Sequence, residues 1–254
     1  MATLFIALTL PVNPASAKSW LAVNGRIDRD MADYVANNVT DGTKFIVVNS
    51  AGGEIAEALR IADIIVKHEI DVVVDRFCIS ACAHIIFAAG RKRFVKEDAL
   101  VVFHGSATGF LESFGGRSDR ERVAEIATLS AAEISLYRRR GINEALLPIM
   151  TAMLDPLCLD DFGPAAAPAK RLALSSEGAG WTPSIGLLRS VGFDVEGDWP
   201  ANLAAFGNRL ERLRLSESNL RFVFGEAPGV GIASLQSAAS GLLATIPDCT
   251  LATK

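Results

Sequence analysis

The first residue whose position suggests chemistry is Ser80, in the stretch Cys78-Ile-Ser-Ala-Cys82. The apolar run 72–74 precedes it and the small and apolar residues 81–89 follow it, which predicts a buried strand, a turn and a helix. Ser80 would then lie at a helix N-terminus, where unpaired N–H groups and a positive local field can stabilise a developing oxyanion. Serine is also a common helix cap. Taken by itself, this stretch favours the cap.

Two further loops that could carry chemistry follow predicted strands. Gly52 and Gly53 come directly after the β-branched run 44–50, and His104 ends another apolar run, 24 residues after Ser80. Strands that alternate with helices predict a mostly parallel sheet, and such folds place their chemistry in the loops after the strands. An imidazole can take the proton of a serine hydroxyl, and glycine lets the backbone approach a scissile carbonyl closely. The three loops together favour Ser80 as a nucleophile.

The other two histidines fit these roles less well. His68 falls at the end of the predicted helix 54–68, where an imidazolium interacts favourably with the helix dipole. His84 lies one turn after Ser80 in an apolar setting, which favours a core or supporting role. His84 remains an alternative general base, because only geometry decides such roles.

Composition narrows the classes of function. The chain has 254 residues, half of them hydrophobic, which is enough for one sizeable core with or without a small appendage. A net charge of −4 gives no sign of a nucleic-acid partner. The basic cluster 138–140 is typical of a solvated helix C-terminus. No P-loop pattern is present, and we expect neither a cofactor nor a metal site.

The four cysteines are Cys78, Cys82, Cys158 and Cys249. The spacing of the first two is not that of a CxxC redox pair, and no second cluster of cysteine and histidine completes a zinc site. Four cysteines allow three pairings, among which the sequence does not choose. The simplest interpretation of Cys82 is a small buried apolar residue.

The N-terminus resembles an export signal. Residues 4–12 are apolar, and Ala15-Ser-Ala17 matches a cleavage site, although no lysine or arginine precedes the apolar stretch. The segment is too short for a membrane span, and the rival interpretation is an ordinary strand. We therefore predict a periplasmic or otherwise exported protein, which would be cytoplasmic if residues 1–17 are not a signal.

Hydrophobic periodicity and breaker residues give the expected elements along the chain. The predicted strands are 20–28, 44–50, 70–74 and 99–105; the predicted helices are 29–38, 54–68, 81–89, 118–140, 143–154 and 203–215. Between them, 91–96 is predicted as a basic edge segment, 107–116 as an irregular loop and 155–168 as a linker.

Three motifs together resemble a known family. They are Asn49-Ser-Ala-Gly-Gly53, Cys78-Ile-Ser-Ala-Cys82 and Phe103-His104. Over residues 20–154 the chain resembles the Clp protease proteolytic-subunit and signal-peptide-peptidase group of the crotonase-like superfamily, and more closely its exported bacterial members. The resemblance implies a crotonase-like α/β spiral of ββα units with a mostly parallel sheet and a helical C-terminal extension.

The resulting domain organisation has four parts. They are a possible signal peptide (1–17), the crotonase-like core (18–154), a linker with the possible end of the core (155–193) and a C-terminal extension (194–254).

The resemblance also implies roles for particular residues. Ser80 corresponds to the nucleophile and His104 to the general base. Backbone N–H groups of Gly52 or Gly53 and of Ala81 correspond to the oxyanion hole.

The family has a catalytic triad, whose third member is an acid. At this acid the chain departs from the family's pattern. Counting from His104 by the family's separation leads to Asp155, and Asp160 and Asp161 are close by. The family's acid comes just before a helix start that is matched here by Trp181-Thr-Pro-Ser184, and just upstream of this match lies Glu177. The acid is therefore Asp155, one of its neighbours, Glu177 or absent, and a Ser–His dyad without an acid would be slower.

The function implied by the resemblance is that of a serine peptidase acting on peptide or unfolded protein substrates. One alternative is an acyl-CoA enzyme, in which the Gly52-Gly53 turn polarises a thioester. Another is a non-catalytic binding or assembly module of the same fold. The resemblance further implies a homo-oligomer, and an ATP-driven unfoldase partner is not expected if the chain is exported.

Overall fold

A computed structural model describes residues 19–114, 120–152, 179–217 and 221–225. They form an α/β fold with a mostly parallel sheet. The strands are β1 (Trp20–Asn24), β2 (Phe45–Ser50), β3 (Asp71–Ile79), β4 (Arg93–Val95), β5 (Leu100–Val102), β6 (Ala179–Thr182), β7 (Val195–Gly197) and β8 (Arg221–Phe224). The helices are α1 (Arg29–Asn38), α2 (Ile55–Lys67), α3 (Ala107–Phe114), α4 (Arg120–Arg139), α5 (Leu146–Ala152), α6 (Ile185–Ser190) and α7 (Leu203–Arg212). The possible signal peptide, 1–17, lies outside the described residues.

The central strand is β3, which leads to Ser80. The main sheet has the order β1-β2-β3-β4-β7 and all its pairs are parallel. The N-terminal half of β3 pairs with β4, whereas its last residues, from Phe77 to Ile79, pair with β5. The structure therefore confirms a mostly parallel sheet and shows that β3 extends five residues beyond the predicted end at Val74.

The helix that follows Ser80 is buried on every side. We call residues 81–89 the Ser80 helix; its central part, Cys82–Phe87, has π-helical hydrogen bonding. A helix that is apolar all round belongs in a core, where its last carbonyls need donors. Arg93 donates to Phe87 O and Ala88 O, and Arg140 donates to Ala89 O. The prediction of a basic edge segment at 91–96 is wrong, because β4 lies between β3 and β7 and contains a buried arginine. Burial lowers the pKa of Arg93 to about 10.

The prediction of an irregular loop at 107–116 is wrong for most of that range. Residues Ala107–Phe114 form α3. The carboxylate of Glu133, on α4, accepts hydrogen bonds from the N–H groups of Ala107 and Thr108 and caps this helix. Local sequence could not reveal the cap, because its acceptor lies 26 residues away from Ala107.

Residues beyond 178 complete the sheet. Trp181, in β6, exchanges two backbone hydrogen bonds with Phe103, and β7 pairs with the edge of β4. The first residues of the expected C-terminal extension thus contribute a strand to the main sheet. Among the described residues, no helix is both long and apolar enough to cross a membrane.

Candidate active site

The turn at Ser80 is sharp. The residue has a φ of 61°, in the left-handed region that residues other than glycine seldom adopt. Its N–H donates to Val102 O on the neighbouring strand at 3.0 Å. Ile79 and Ala81 are buried, whereas Ser80 is partly exposed. A serine on a tight strand-to-helix turn of this kind presents its hydroxyl at the edge of a sheet.

A disulfide spans this turn. Cys78, near the end of β3, is bonded to Cys82, the second residue of the Ser80 helix, and both are fully buried. The interpretation of Cys82 as simply a small apolar residue was therefore wrong, although its burial was expected. Cys158 and Cys249 lie outside the described residues.

The Gly52-Gly53 turn packs directly against Ser80. A Cβ on Gly52 would lie 2.6 Å from both Ile79 O and the Ser80 Cβ, so that only glycine fits there. The Ser50 hydroxyl donates to Gly25 O and accepts the Gly52 N–H at 3.0 Å. The Gly52 N–H is therefore already bonded to the Ser50 hydroxyl. Of the two glycines, Gly53 is the one whose N–H group Ser50 does not bind.

His104 lies beyond the end of β5, next to the end of β3. In this parallel pair Ile79 lies opposite Val102, so the chain leaves both strands at the same edge of the sheet. Burial, together with the nearby His84, lowers the pKa of His104 to about 4. The imidazole is therefore neutral near pH 7, which is the form that accepts a proton.

His84 and Glu133 form a buried pair behind the turn. The exposed fraction is 1% for the His84 side chain and 0% for that of Glu133. His84 Nδ1 lies 2.9 Å from Ser80 O, and Nε2 lies 3.2 Å from Glu133 Oε1, at ion-pair distance but outside hydrogen-bond alignment. Because both ring nitrogens face these groups, His84 is not placed to act as the general base for the Ser80 hydroxyl.

Sequence reasoning missed Glu133. It lies in a long helix whose polar residues give little amphipathic contrast, so nothing marked this carboxylate as buried. One signal was available: Glu133 shares a helix face with Ser130 and Tyr137, which lie three residues before it and four after it. All three are buried in the structure.

The candidate acids Asp155, Asp160, Asp161 and Glu177 lie outside the described residues. His68 follows the last residue of α2, with Nδ1 3.5 Å from Asp41 Oδ1. This position agrees with the structural role expected of it.

An open depression of about 570 Å³ lies elsewhere, beside β1 and α1. Its lining includes Asn24, Arg26, Asp28 and Tyr34, and contains none of the residues around Ser80. Within the described ranges, no group of three or more His, Cys, Asp or Glu side chains is arranged to hold a metal ion. The Ser80 edge is therefore distinguished by residue type and backbone geometry and not by cavity size.

The fold and this edge define the chain as an α/β protein with a mostly parallel sheet. Its glycine turn, serine turn and histidine follow the C-terminal ends of the neighbouring strands β2, β3 and β5. No family model matches the chain, and no curated protein matches it.

Proposed function

We propose that the protein is a serine hydrolase, a peptidase of the Clp-like kind, with Ser80 as its nucleophile. The observation that carries the proposal is the left-handed Ser80 on a strand-to-helix turn, with Gly52 packed against it at a distance that excludes any side chain. A helix cap alone does not require this geometry, since N-cap residues have ordinary extended dihedral angles.

The proposed roles are those that the family resemblance implies, and the parallel register of β3 and β5 supports them, because it brings Ser80 and His104 to the same edge of the sheet. The Ser80 hydroxyl attacks the scissile carbonyl while the neutral His104 takes its proton and later gives it to the leaving amine. The N–H groups of Gly53 and of Ala81, the first residue of the Ser80 helix, stabilise the oxyanion. Each such donor contributes about 3 kcal/mol in comparable sites.

We further propose that the sheet belongs to a crotonase-like spiral and that the protein forms a homo-oligomer. The pairing of β3 with β4 along its first half and with β5 at its end supports the spiral, because two successive strands then pair in turn along one strand. The homo-oligomer rests on the family resemblance alone.

Export is also part of this proposal. Disulfides persist in oxidising compartments and are rare in the cytosol of mesophiles. The Cys78–Cys82 bond therefore supports a periplasmic or otherwise exported location.

A fluorophosphonate probe tests the proposed nucleophile. We expect the probe to label Ser80 in the folded protein, as located by peptide mass spectrometry. Labelling should disappear in Ser80→Ala and fall at least about a hundredfold in His104→Ala, because removal of an acid–base group costs a factor of this order.

Two results would contradict the proposal. One is a folded protein that is not labelled at Ser80. The other is hydrolysis of acyl-CoA thioesters that survives Ser80→Ala, which would point to the thioester alternative.

A further inference from the structure

We infer that His84 is a positioning residue that orients the Ser80–Ala81 peptide, so that the Ala81 N–H faces the oxyanion. The inference rests on the proposed function and extends it to a residue that lies behind the turn. His84 is not expected to touch substrate, because its side chain is almost completely buried.

The identity of the bonding atom fixes the position of one ring proton. Ser80 O is a backbone carbonyl and can only accept a hydrogen bond. The nitrogen 2.9 Å away, His84 Nδ1, must therefore carry a proton and donate it. A half-turn of the ring would lose this bond, because it would put the carbon Cδ2 in the place of Nδ1.

The carbonyl that accepts this bond belongs to the same peptide unit as the Ala81 N–H. In a planar trans peptide the C=O and N–H groups point in opposite directions. Ser80 O also accepts from the backbone N–H groups of Ala83 at 2.8 Å and His84 at 3.1 Å. These three hydrogen bonds fix the orientation of the peptide, so that the Ala81 N–H points away from them and towards the turn. They also polarise the peptide, which makes the Ala81 N–H a stronger donor.

Glu133 holds the other side of the ring. Its two carboxylate oxygens accept from the N–H groups of Ala107 and Thr108 and from the Thr108 hydroxyl, which in turn accepts from Ser130. This network joins α4 to the start of α3 and fixes the carboxylate facing His84 Nε2. Burial raises the pKa of the Tyr137 phenol, one turn further along α4, and the nearby Glu133 carboxylate raises that pKa further.

Two substitutions separate the two contacts of the ring. The amide nitrogen of asparagine can occupy the position of Nδ1, and that of glutamine the position of Nε2. His84→Asn therefore keeps a donor for Ser80 O and loses the contact with Glu133. His84→Gln places an amide donor towards Glu133 and loses the bond to Ser80 O.

The measurements are kcat and KM for a peptide ester and the rate of Ser80 labelling by the fluorophosphonate. We expect His84→Gln to lower kcat and the labelling rate by about 10- to 100-fold with KM within about threefold, since removal of a whole oxyanion donor costs about 100- to 1,000-fold. His84→Asn should remain within about fivefold of the wild type. Thermal unfolding confirms that both variants are folded.

Equal rates in the two variants would overturn the inference, whether both match the wild type or both are impaired to the same extent. Failure of the wild type to label at Ser80 would instead contradict the proposed function. In that case the Ala81 amide resonance tests the positioning directly. A larger shift of that resonance in His84→Gln than in His84→Asn supports the inference, and no difference overturns it.

Discussion

At the scale of single residues, the Ser80 turn depends on the absence of a side chain at position 52. We predict that Gly52→Ala disrupts the turn, because its Cβ would lie 2.6 Å from Ile79 O and from the Ser80 Cβ. Both the fluorophosphonate labelling rate and the free energy of unfolding should fall. Overpacking of this kind costs about 1–3 kcal/mol beyond any backbone strain.

Gly25→Ala is the matched control for this prediction. Gly25 has a φ of 102°, close to the 95° of Gly52, but a Cβ there would meet nothing within 4 Å. The two variants therefore share the left-handed strain, about 1–2 kcal/mol, and differ in the contact with Ser80. Equal losses of stability and labelling in both would refute the role assigned to close packing.

The second prediction at this scale concerns His104 and pH. Because the pKa of His104 is lowered to about 4, the Ser80 labelling rate should fall as the pH is lowered, with a midpoint near pH 4 and not near 6.5. The free energy of unfolding should also depend on the protonation of His104. Between pH 6.5 and 4 the unfolded chain binds a proton at His104 that the folded protein does not, so the free energy of unfolding decreases as the pH falls.

The contribution of His104 is full above about pH 6.5 and reaches at most about 3 kcal/mol. NMR titration of the ring and urea unfolding across this range measure the two effects. His104→Gln should remove that part of the pH dependence. A ring that titrates near 6.5 would contradict the prediction.

At the scale of elements, the end of β3 and the start of the Ser80 helix are joined by the disulfide. We predict that Cys78→Ala/Cys82→Ala lowers the free energy of unfolding by about 2 kcal/mol, the loop-closure value for a ring of five residues. The labelling rate of Ser80 should fall as well, since the left-handed turn loses its constraint. Urea unfolding and the fluorophosphonate assay measure the two effects.

Reduction of the wild type is the companion experiment. Both cysteines are fully buried, so a phosphine reductant should leave the bond intact in native protein and break it in urea. Rapid reduction under native conditions would show that the turn opens readily and would count against a rigid nucleophile position.

The elements also show what the sequence could predict. The β-branched run before Gly52 and the apolar run before Ser80 were sufficient to place both turns at strand ends, because burial and β-propensity act locally. The buried Glu133 and the helix α3 were missed, since each depends on the other across distant positions. The triad's acid stays a prediction, because Asp155 and its alternatives lie outside the described residues.

At the scale of the whole molecule, the sheet is completed by residues far in sequence from Ser80. Strand β7 pairs with β4, and α7 is tied to the sheet by Arg209, which donates to Ala99 O and to Asp198. The segment assigned from sequence to a C-terminal extension therefore supplies β7, the strand at the edge of the sheet next to β4. Because β4 pairs in turn with β3, the stability of this side of the sheet bears on the Ser80 turn.

The last prediction compares two arginines of α7. Arg209 is 5% exposed and Arg212 is 54% exposed, and each contacts an aspartate. Arg209→Met should lower the free energy of unfolding by about 1–3 kcal/mol, because it removes a buried donor from Ala99 O and from Asp198 O. The Asp198 carboxylate, which is 41% exposed, keeps its hydrogen bond from the Asp98 N–H. Arg212→Met should cost less than about 1 kcal/mol, the range of an exposed ion pair with Asp98. Urea unfolding of both variants measures the difference, and equal losses would show that α7 is not anchored through the buried side chain.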